Sequence, residues 1–152
     1  MKAIVTVGVS ASGKSTLARK LCREGYLAID RDDLRFSLVK ADDWSHWDFD
    51  NAYPLECMIT DAHNFMIAHA AGQGRDIVIA ETNLPRKTRT KWTKFLTGLG
   101  YEVEFVPLHI SLEEAIDRDA KRQYSVGIEV IRDKQWPKWE AYLRELEVTN
   151  GI

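Results

Sequence analysis

The run Gly8-Val-Ser-Ala-Ser-Gly13-Lys14-Ser15 fits G-x-x-x-x-G-K-[ST], directly after an apolar stretch at 3–7 and before a helical pattern beginning Thr16-Leu-Ala-Arg. Glycines at these spacings let the backbone turn tightly, so that successive N–H groups and a helix N-terminus converge on phosphate oxygens. Lys14 is placed to reach the β- and γ-phosphates of a nucleoside triphosphate, and the Ser15 hydroxyl to ligate Mg²⁺. Gly8, Ser10, Ser12, Gly13 and Thr16 complete the set of expected nucleotide contacts. ATP and Mg²⁺ are therefore the expected cofactors.

Three more clusters carry groups suited to phosphoryl transfer. After the apolar run 26–29 comes Asp30-Arg31-Asp32-Asp33-Leu34-Arg35, which sets carboxylates and guanidiniums where a strand meets its helix. A kinase needs a carboxylate there to accept the proton of the attacking hydroxyl and a cation to hold the acceptor in line. Asp32 and Arg35, three apart on a helix, share a face, and Asp32 is also a candidate to join Ser15 at the metal. Helix capping by Asp30 and a macrodipole preference at Asp32 and Asp33 account for the same residues. The run 76–80 ends in Glu81-Thr82-Asn83-Leu84-Pro85. Glu81 is a candidate carboxylate for Mg²⁺ or Arg35, and Thr82 and Asn83 are candidate donors to an acceptor phosphate, although both also suit a turn capping the next helix. Arg118 and Arg122, four apart on a predicted helix over 111–123, are candidates to close over the triphosphate. Surface ion pairs with Glu113, Glu114, Asp117 and Asp119 are the alternative.

These groups must be positioned by elements that the hydrophobic pattern marks out. Strands are predicted at 3–7, 26–29, 76–80 and 101–109, and helices at 14–24, 31–39, 52–71, 86–98, 111–123 and 128–147. Asn51, Pro85 and Ser111 serve as start signals and Gly25, Gly72 and Gly98 as stops. Such alternation predicts an α/β fold, a mostly parallel sheet of about four strands with helices on both faces and the ligand at the carboxyl ends of the strands. Every cluster above falls at such an end.

Two segments stand apart. Residues 40–50 gather four aspartates, two tryptophans and a phenylalanine, read as a loop whose aromatics pack on the neighbouring helix, with a protomer or substrate contact as the alternative. Arg86-Lys-Thr-Arg-Thr-Lys-Trp-Thr-Lys94 carries five cations and no acid, which suits either a solvated face or the guiding of a nucleic-acid strand.

The 152 residues, 45% apolar and 29% charged, suit a single domain with a substantial core and leave no room for a second catalytic domain. A net charge of −2 argues against indiscriminate polyanion binding. Cys22 and Cys57 sit in apolar helical patterns, match no metal spacing and are expected to be buried thiols of a reducing compartment. The N-terminal apolar run is too short to span a bilayer, so a cytoplasmic protein with no membrane partner is expected.

Taken in order, Gly8-x-x-x-x-Gly13-Lys14-Ser15-Thr16, Arg31-Asp32-Asp33-x-Arg35, Thr82-Asn83-Leu84, Arg118-x-x-x-Arg122 and Val126-x-Ile-x-Val-Ile-Arg132 resemble the kinase domain of the bacteriophage polynucleotide 5′-kinases over nearly the whole chain. The resemblance implies a phosphate-loop kinase fold, with Asp32 as general base on a 5′-hydroxyl and Arg35, assisted by Thr82, on the acceptor's 3′-phosphate. It further implies that Lys14 and Ser15 hold ATP and Mg²⁺, that Arg122 and Arg118 cover the donor phosphates, and that Val126 lines the acceptor entrance. Implied partners are 5′-hydroxyl ends of DNA or RNA, in the host cytoplasm for a phage protein, and a homo-oligomer is compatible with the sequence. Two residues depart from the family pattern, Glu81 where Asp is common and Gly127 where Pro is expected. The D-x-D-x-T signature of the 3′-phosphatase joined to larger relatives is missing. The implied activity is ATP-dependent 5′-hydroxyl phosphorylation before ligation. A small-metabolite kinase on the same scaffold is the rival; a nucleotide-gated switch lacks the D-x-x-G and N-K-x-D patterns.

Overall fold

In the computed structural model, which describes residues 1–41 and 43–150, the apolar runs pair into one four-stranded sheet of order β2-β3-β1-β4 in which every pairing is parallel. The strands are β1 (Lys2–Val7), β2 (Leu27–Ile29), β3 (Ile77–Ile79) and β4 (Glu102–Pro107). Helices α1 (Lys14–Arg23), α2 (Arg31–Val39), α3 (Tyr53–Gly72), α4 (Arg86–Gly98), α5 (Leu112–Ala120) and α6 (Trp136–Thr149) separate and follow them. Successive strand residues face opposite sides of the sheet. Ala3 and Val5, in register with Ile77 and Ile79, pack on Ile67 and Ala70 of α3 and Leu96 of α4. Ile4 and Val78 face the other way, onto Ala18 of α1. With both faces covered, the central strands read as continuous apolar runs. Beyond β1, Val7 and Val9 join Leu84, Ala115, Trp139 and Tyr142 in a second cluster that fastens α5 and α6 to the loop end of the sheet.

Several expected boundaries move for identifiable reasons. Asn51 does not start α3: its side chain bonds back to Asp48, and Ala52 stands at the N-cap with no side-chain bond. Gly72 and Gly98 are still helical, and the left-handed residues that turn the chain are Gly74 (φ 69°) and Gly100 (φ 90°). Helix α5 ends at Ala120, so Arg122 lies beyond it. The pattern over 128–147 is interrupted by a π-helical segment, Val130–Gln135, ahead of Pro137. Proline cannot donate to the carbonyl four residues back, here that of Asp133, and its ring crowds that carbonyl, so the turn widens. Cys22 and Cys57 are exposed free thiols rather than buried ones, because each lies on the outer side of its helix. Of the segment 40–50, Asp42 lies outside the described residues. Trp47 is buried with Ala52 and Ile59, as the packing reading expects. No helix among the described residues is long and apolar enough to cross a membrane.

Arg89 departs furthest from the solvated face expected of its helix. It is buried, donates to the carbonyls of Asn83 and Leu84, pairs with Glu145 of α6 at 2.6 Å and lies 4.3 Å from the Tyr142 ring centroid. Arg89 thus straps the end of β3 to α6. Arg89→Ala is expected to cost about 3 kcal/mol, since it leaves two buried carbonyls unmet and a carboxylate unpaired. Lys91→Ala, on the exposed side of the same helix, should stay within about 0.5 kcal/mol. Equilibrium urea denaturation of the two variants checks the ranking.

Candidate active site

The carboxyl ends of β1 and β3 are tied to each other. Gly8 N–H donates to Thr82 O at 3.0 Å, Thr6 Oγ1 to Glu81 O at 2.7 Å, and Asn83 Nδ2 to Thr6 O at 2.9 Å. The phosphate loop and the polar tip of β3 therefore sit side by side. Between them opens a cavity of about 310 Å³, lined by Ser10, Lys14, Asp30, Asp32, Arg35 and Glu81 among others. A second cavity of about 230 Å³, lined by Gly13, Lys14, Ser15, Thr16, Arg118 and Arg122 among others, lies on the far side of Lys14. Lys14, Ser15, Arg122 and Tyr124 line both.

The loop is shaped for an anion. A Cβ at Gly8 would stand 2.6 Å from Ser12 Oγ, an atom that is itself buried without a hydrogen-bond partner among the described residues. Gly13 (φ 103°) is the N-cap of α1 and turns the helix N-terminus toward the second cavity. Lys14 Nζ donates to Val9 O at 2.6 Å. Burial, then the neighbouring Arg122, lower its pKa to about 8. These features fit a triphosphate, whose negative charge would favour the ammonium form. No cluster of three or more His, Cys, Asp or Glu able to hold a metal occurs among the described residues. Ser15 and Asp32 thus fit Mg²⁺ only as a companion to nucleotide phosphates, which is the ordinary mode for this ion. Ser10 has its backbone N–H engaged, donating to Gln135 Oε1 at 2.8 Å, while its hydroxyl accepts from Gln135 Nε2 at 2.9 Å and keeps its own O–H at the cavity wall.

On the other side of Lys14, Asp30 caps α2 by accepting from the N–H groups of Asp32 and Asp33. Asp32 Oδ1 accepts from Arg35 Nη1 at 2.6 Å, while Arg35 Nε and Nη2 grip Glu56 of α3 at 2.7 and 2.8 Å. Two of the five guanidinium N–H groups remain available. Burial in the pocket raises the Asp32 pKa despite the opposing charge of Arg35, which suits a proton acceptor. Asp32 is half exposed by area, but it stands inside the cavity, where loss of water outweighs the pull of Arg35 and Glu81 adds a smaller push in the same direction. Phe36 and Trp44, 4.7 Å apart, and Tyr124, 5.9 Å from Phe36, supply an aromatic wall.

Other expected residues take different places. Glu81 does not touch Arg35; its Oε1 lies 2.9 Å from Nε2 of the buried His63 and accepts from Arg31 N–H at 3.3 Å. Glu56 has taken the place at Arg35, reached from α3 across the fold. Thr82 lines the first cavity, as does Val126. Asn83 is turned inward, donating to Thr6 O and Glu81 O and accepting from Trp92 Nε1 at 2.9 Å, so its amide is unavailable to an acceptor. Arg118 lines the second cavity while paired with Glu114. Arg122 is held by Asp119, which is 1% exposed and also accepts from Ser125 Oγ and the N–H groups of Val126 and Gly127. Burial pushes the Asp119 pKa up, but those donors more than reverse it and hold the carboxyl below its usual range. Gly127 (φ 93°) gives the hub both an N–H and a left-handed turn, neither of which the expected proline can supply.

Parallel sheet, phosphate loop, capped carboxylates and arginines at one sheet edge define a phosphate-loop kinase. Residues 4–146 match the family model AAA_33, an AAA domain, and the chain belongs to that family. Over 144 residues it is 30% identical to a protein of Autographa californica nuclear polyhedrosis virus named as a bifunctional polynucleotide kinase/RNA ligase, with 90% of this chain and 20% of the relative aligned. The chain thus spans about a fifth of that relative. Among solved structures, a chain of the Pnkp1/Rnl/Hen1 complex superposes with TM-score 0.64 at 24% identity, covering 82% of this chain and 40% of that one. A gluconokinase from Sinorhizobium meliloti 1021 does so with TM-score 0.56 at 21% identity, covering 90% and 74%. Both likenesses show the fold.

Burial first, then the carboxylates of Asp32, Asp33 and Glu81, raise the Asp30 pKa to about 7. A carboxyl whose folded pKa exceeds its unfolded value contributes stability below about pH 4, and that contribution is lost as pH rises through about 7. Asn caps helices as well as Asp does. Asp30→Asn should therefore be the more stable protein at pH 8 by about 1–2 kcal/mol, the full shift being discounted for screening by water in the cavity. The difference should shrink to nothing near pH 4, as thermal melts across this range would record.

Proposed function

We propose that this protein is an ATP-dependent polynucleotide 5′-hydroxyl kinase that prepares DNA or RNA ends for ligation. The observation that carries this reading is the pairing of Asp32 with Arg35 inside one cavity that also holds Lys14 and an aromatic wall. A proton acceptor, a planar two-pronged phosphate grip and faces for a nucleobase are what a nucleotide end requires. The viral relative's name points to the same acceptor and to a ligase that would use the product.

In this reading the 5′-hydroxyl lies against the free Oδ2 of Asp32, which takes its proton as the 5′-oxygen bonds to the γ-phosphorus and the bond to the ADP oxygen breaks. Mg²⁺, held by Ser15 and phosphate oxygens, supplies charge neutralisation when bound. Lys14, and Arg122 fixed by Asp119, offset negative charge on the transferring group. Arg35 keeps the acceptor's 3′-phosphate in place with its two remaining N–H groups, and Val126, anchored through its N–H to Asp119, borders the entrance.

Phosphate transfer from labelled ATP to 5′-hydroxyl oligonucleotides, nucleoside 3′-monophosphates, plain nucleosides and gluconate tests the assignment. Asp32→Asn should lower kcat by roughly a hundredfold or more with the KM for ATP little changed, and Lys14→Ala should abolish transfer to every acceptor. Arg35→Lys should depress use of phosphate-bearing acceptors, because lysine lacks the planar fork. Wild-type protein that uses a nucleoside and its 3′-monophosphate equally well, or prefers gluconate, is instead a small-metabolite kinase.

A further inference from the structure

Helix α4 is electrostatically unfavourable on its own terms. It has no acidic residue along its length, and it places Arg86 and Lys87 in the first turn, against the helix dipole. Lys87, Lys91 and Lys94 follow at spacings of four and three and so form one stripe of like charge, an arrangement that destabilises an isolated helix. Lys91 and Lys94 are exposed and have no ion-pair partner among the described residues. The neighbouring side of the helix is apolar. Trp92, Phe95 and Leu99 form, with Thr60 and Asn64 of α3, a groove of about 920 Å³ that Lys91 and Lys94 border.

This groove adjoins the active site across Arg31 and Glu81. Arg31 and Glu81 line both the groove and the cavity that holds Asp32 and Arg35. Arg31 and Arg35 lie four apart on α2 and share Glu56, so cations lead in sequence from Arg35 through Arg31 to Lys91 and Lys94. From Thr88 to Leu99 the helix runs roughly 16 Å, room for more than one nucleotide beyond the reacting one.

We propose that the groove between α3 and α4 binds the single-stranded continuation of the acceptor, the nucleotides on the 3′ side of the end being phosphorylated. Lysine ammonium groups along one border meet backbone phosphates, and the apolar floor with its partly exposed Trp92 and Phe95 takes bases without regard to sequence. The assignment rests on the polynucleotide reading of the site and predicts that a polymer is favoured over a mononucleotide.

The test compares thymidine 3′-monophosphate with 5′-hydroxyl oligothymidylates of increasing length, using wild-type protein and the double variants Lys91→Glu/Lys94→Glu and Lys91→Gln/Lys94→Gln. Wild-type KM should fall with length until the groove is filled. Charge reversal should raise KM for the longer acceptors about tenfold or more and leave kcat and the KM for the monophosphate unchanged, with the neutral variant shifting in the same direction by less. Loss of two phosphate contacts should also reduce the log–log salt dependence of oligonucleotide binding by about 1.4. Length-independent KM in wild type, or equal effects of the variants on monophosphate and oligonucleotide, overturns the groove assignment while leaving the kinase reading in place. Unchanged oligonucleotide KM in both variants does the same and gives the lysines to another anionic partner, such as an acidic protein surface. Failure of the wild type to phosphorylate either acceptor class removes the polynucleotide reading and the groove with it.

Discussion

The hydrogen bonds that cross from the end of β1 to the tip of β3 decide what this sheet can do. Two parallel strands that merely pair would release their following loops in independent directions. Here Gly8 N–H, Thr6 Oγ1 and Asn83 Nδ2 knit the first residues of both loops into one surface. Asn83 sits at φ 45°, a left-handed conformation that asparagine tolerates better than most residues. Its carboxamide reaches three groups from there, including Trp92 of α4. The donor loop, the β3 tip and the middle of α4 are therefore joined through one side chain. The residues that do no chemistry at this edge fix the distances between those that do.

Charge is arranged around that junction with a surplus of carboxylates close to the cations. Asp30, Asp32, Asp33 and Glu81 gather near Lys14, Arg31 and Arg35, and each arginine is further tied to Glu56 from α3. Burial in the cavity first, and repulsion among these carboxylates second, make their protons harder to lose, which is why Asp30 rises to about 7 and Asp32 shifts upward against the pull of Arg35. Lys14 responds in the opposite sense, since burial and Arg122 outweigh the aspartates. In the kinase reading proposed above, an incoming triphosphate would add negative charge near both groups, favouring the ammonium on Lys14 and raising the basicity of Asp32.

What the sequence discloses here follows how local each interaction is. The loop from Gly8 to Ser15, the capping of α2 by Asp30 and of α5 by Ser111, and the alternation of strands and helices all depend on neighbours within a few residues, and all appear as expected. The comparisons bear out the phosphate-loop kinase class. Partners chosen by tertiary packing were illegible. Nothing in the spacing of Glu56 announces Arg35, 21 positions away, and Asp119 looks like one half of a surface pair until α5 ends and the chain folds Ser125 to Gly127 over it. Arg89 shows the same limit within a single helix. Its inward position follows helix periodicity, since Arg89 falls three residues before Trp92 and seven before Leu96 while Lys91 faces solvent; its partners on α6, Glu145 and Tyr142, do not.

The widened turn before Pro137 joins these themes. A regular helix through residues 128–147 would run past the phosphate loop with its hydrogen bonds satisfied internally. Proline at 137 prevents that: the ladder shifts so that Trp136 N–H donates to Ile131 O, and Gln135 is carried to Ser10. The amide of Gln135 then accepts from the backbone N–H of Ser10 and donates to its hydroxyl, pinning the front of the loop to the C-terminal helix. Trp139 and Tyr142, one and two turns further on, bury α6 against Val7 and Val9 at the other side of the same loop. The loop is thus held from α6 at two points, one polar and one apolar. A proline distant in sequence sets the helix register from which Gln135 reaches the phosphate-binding backbone.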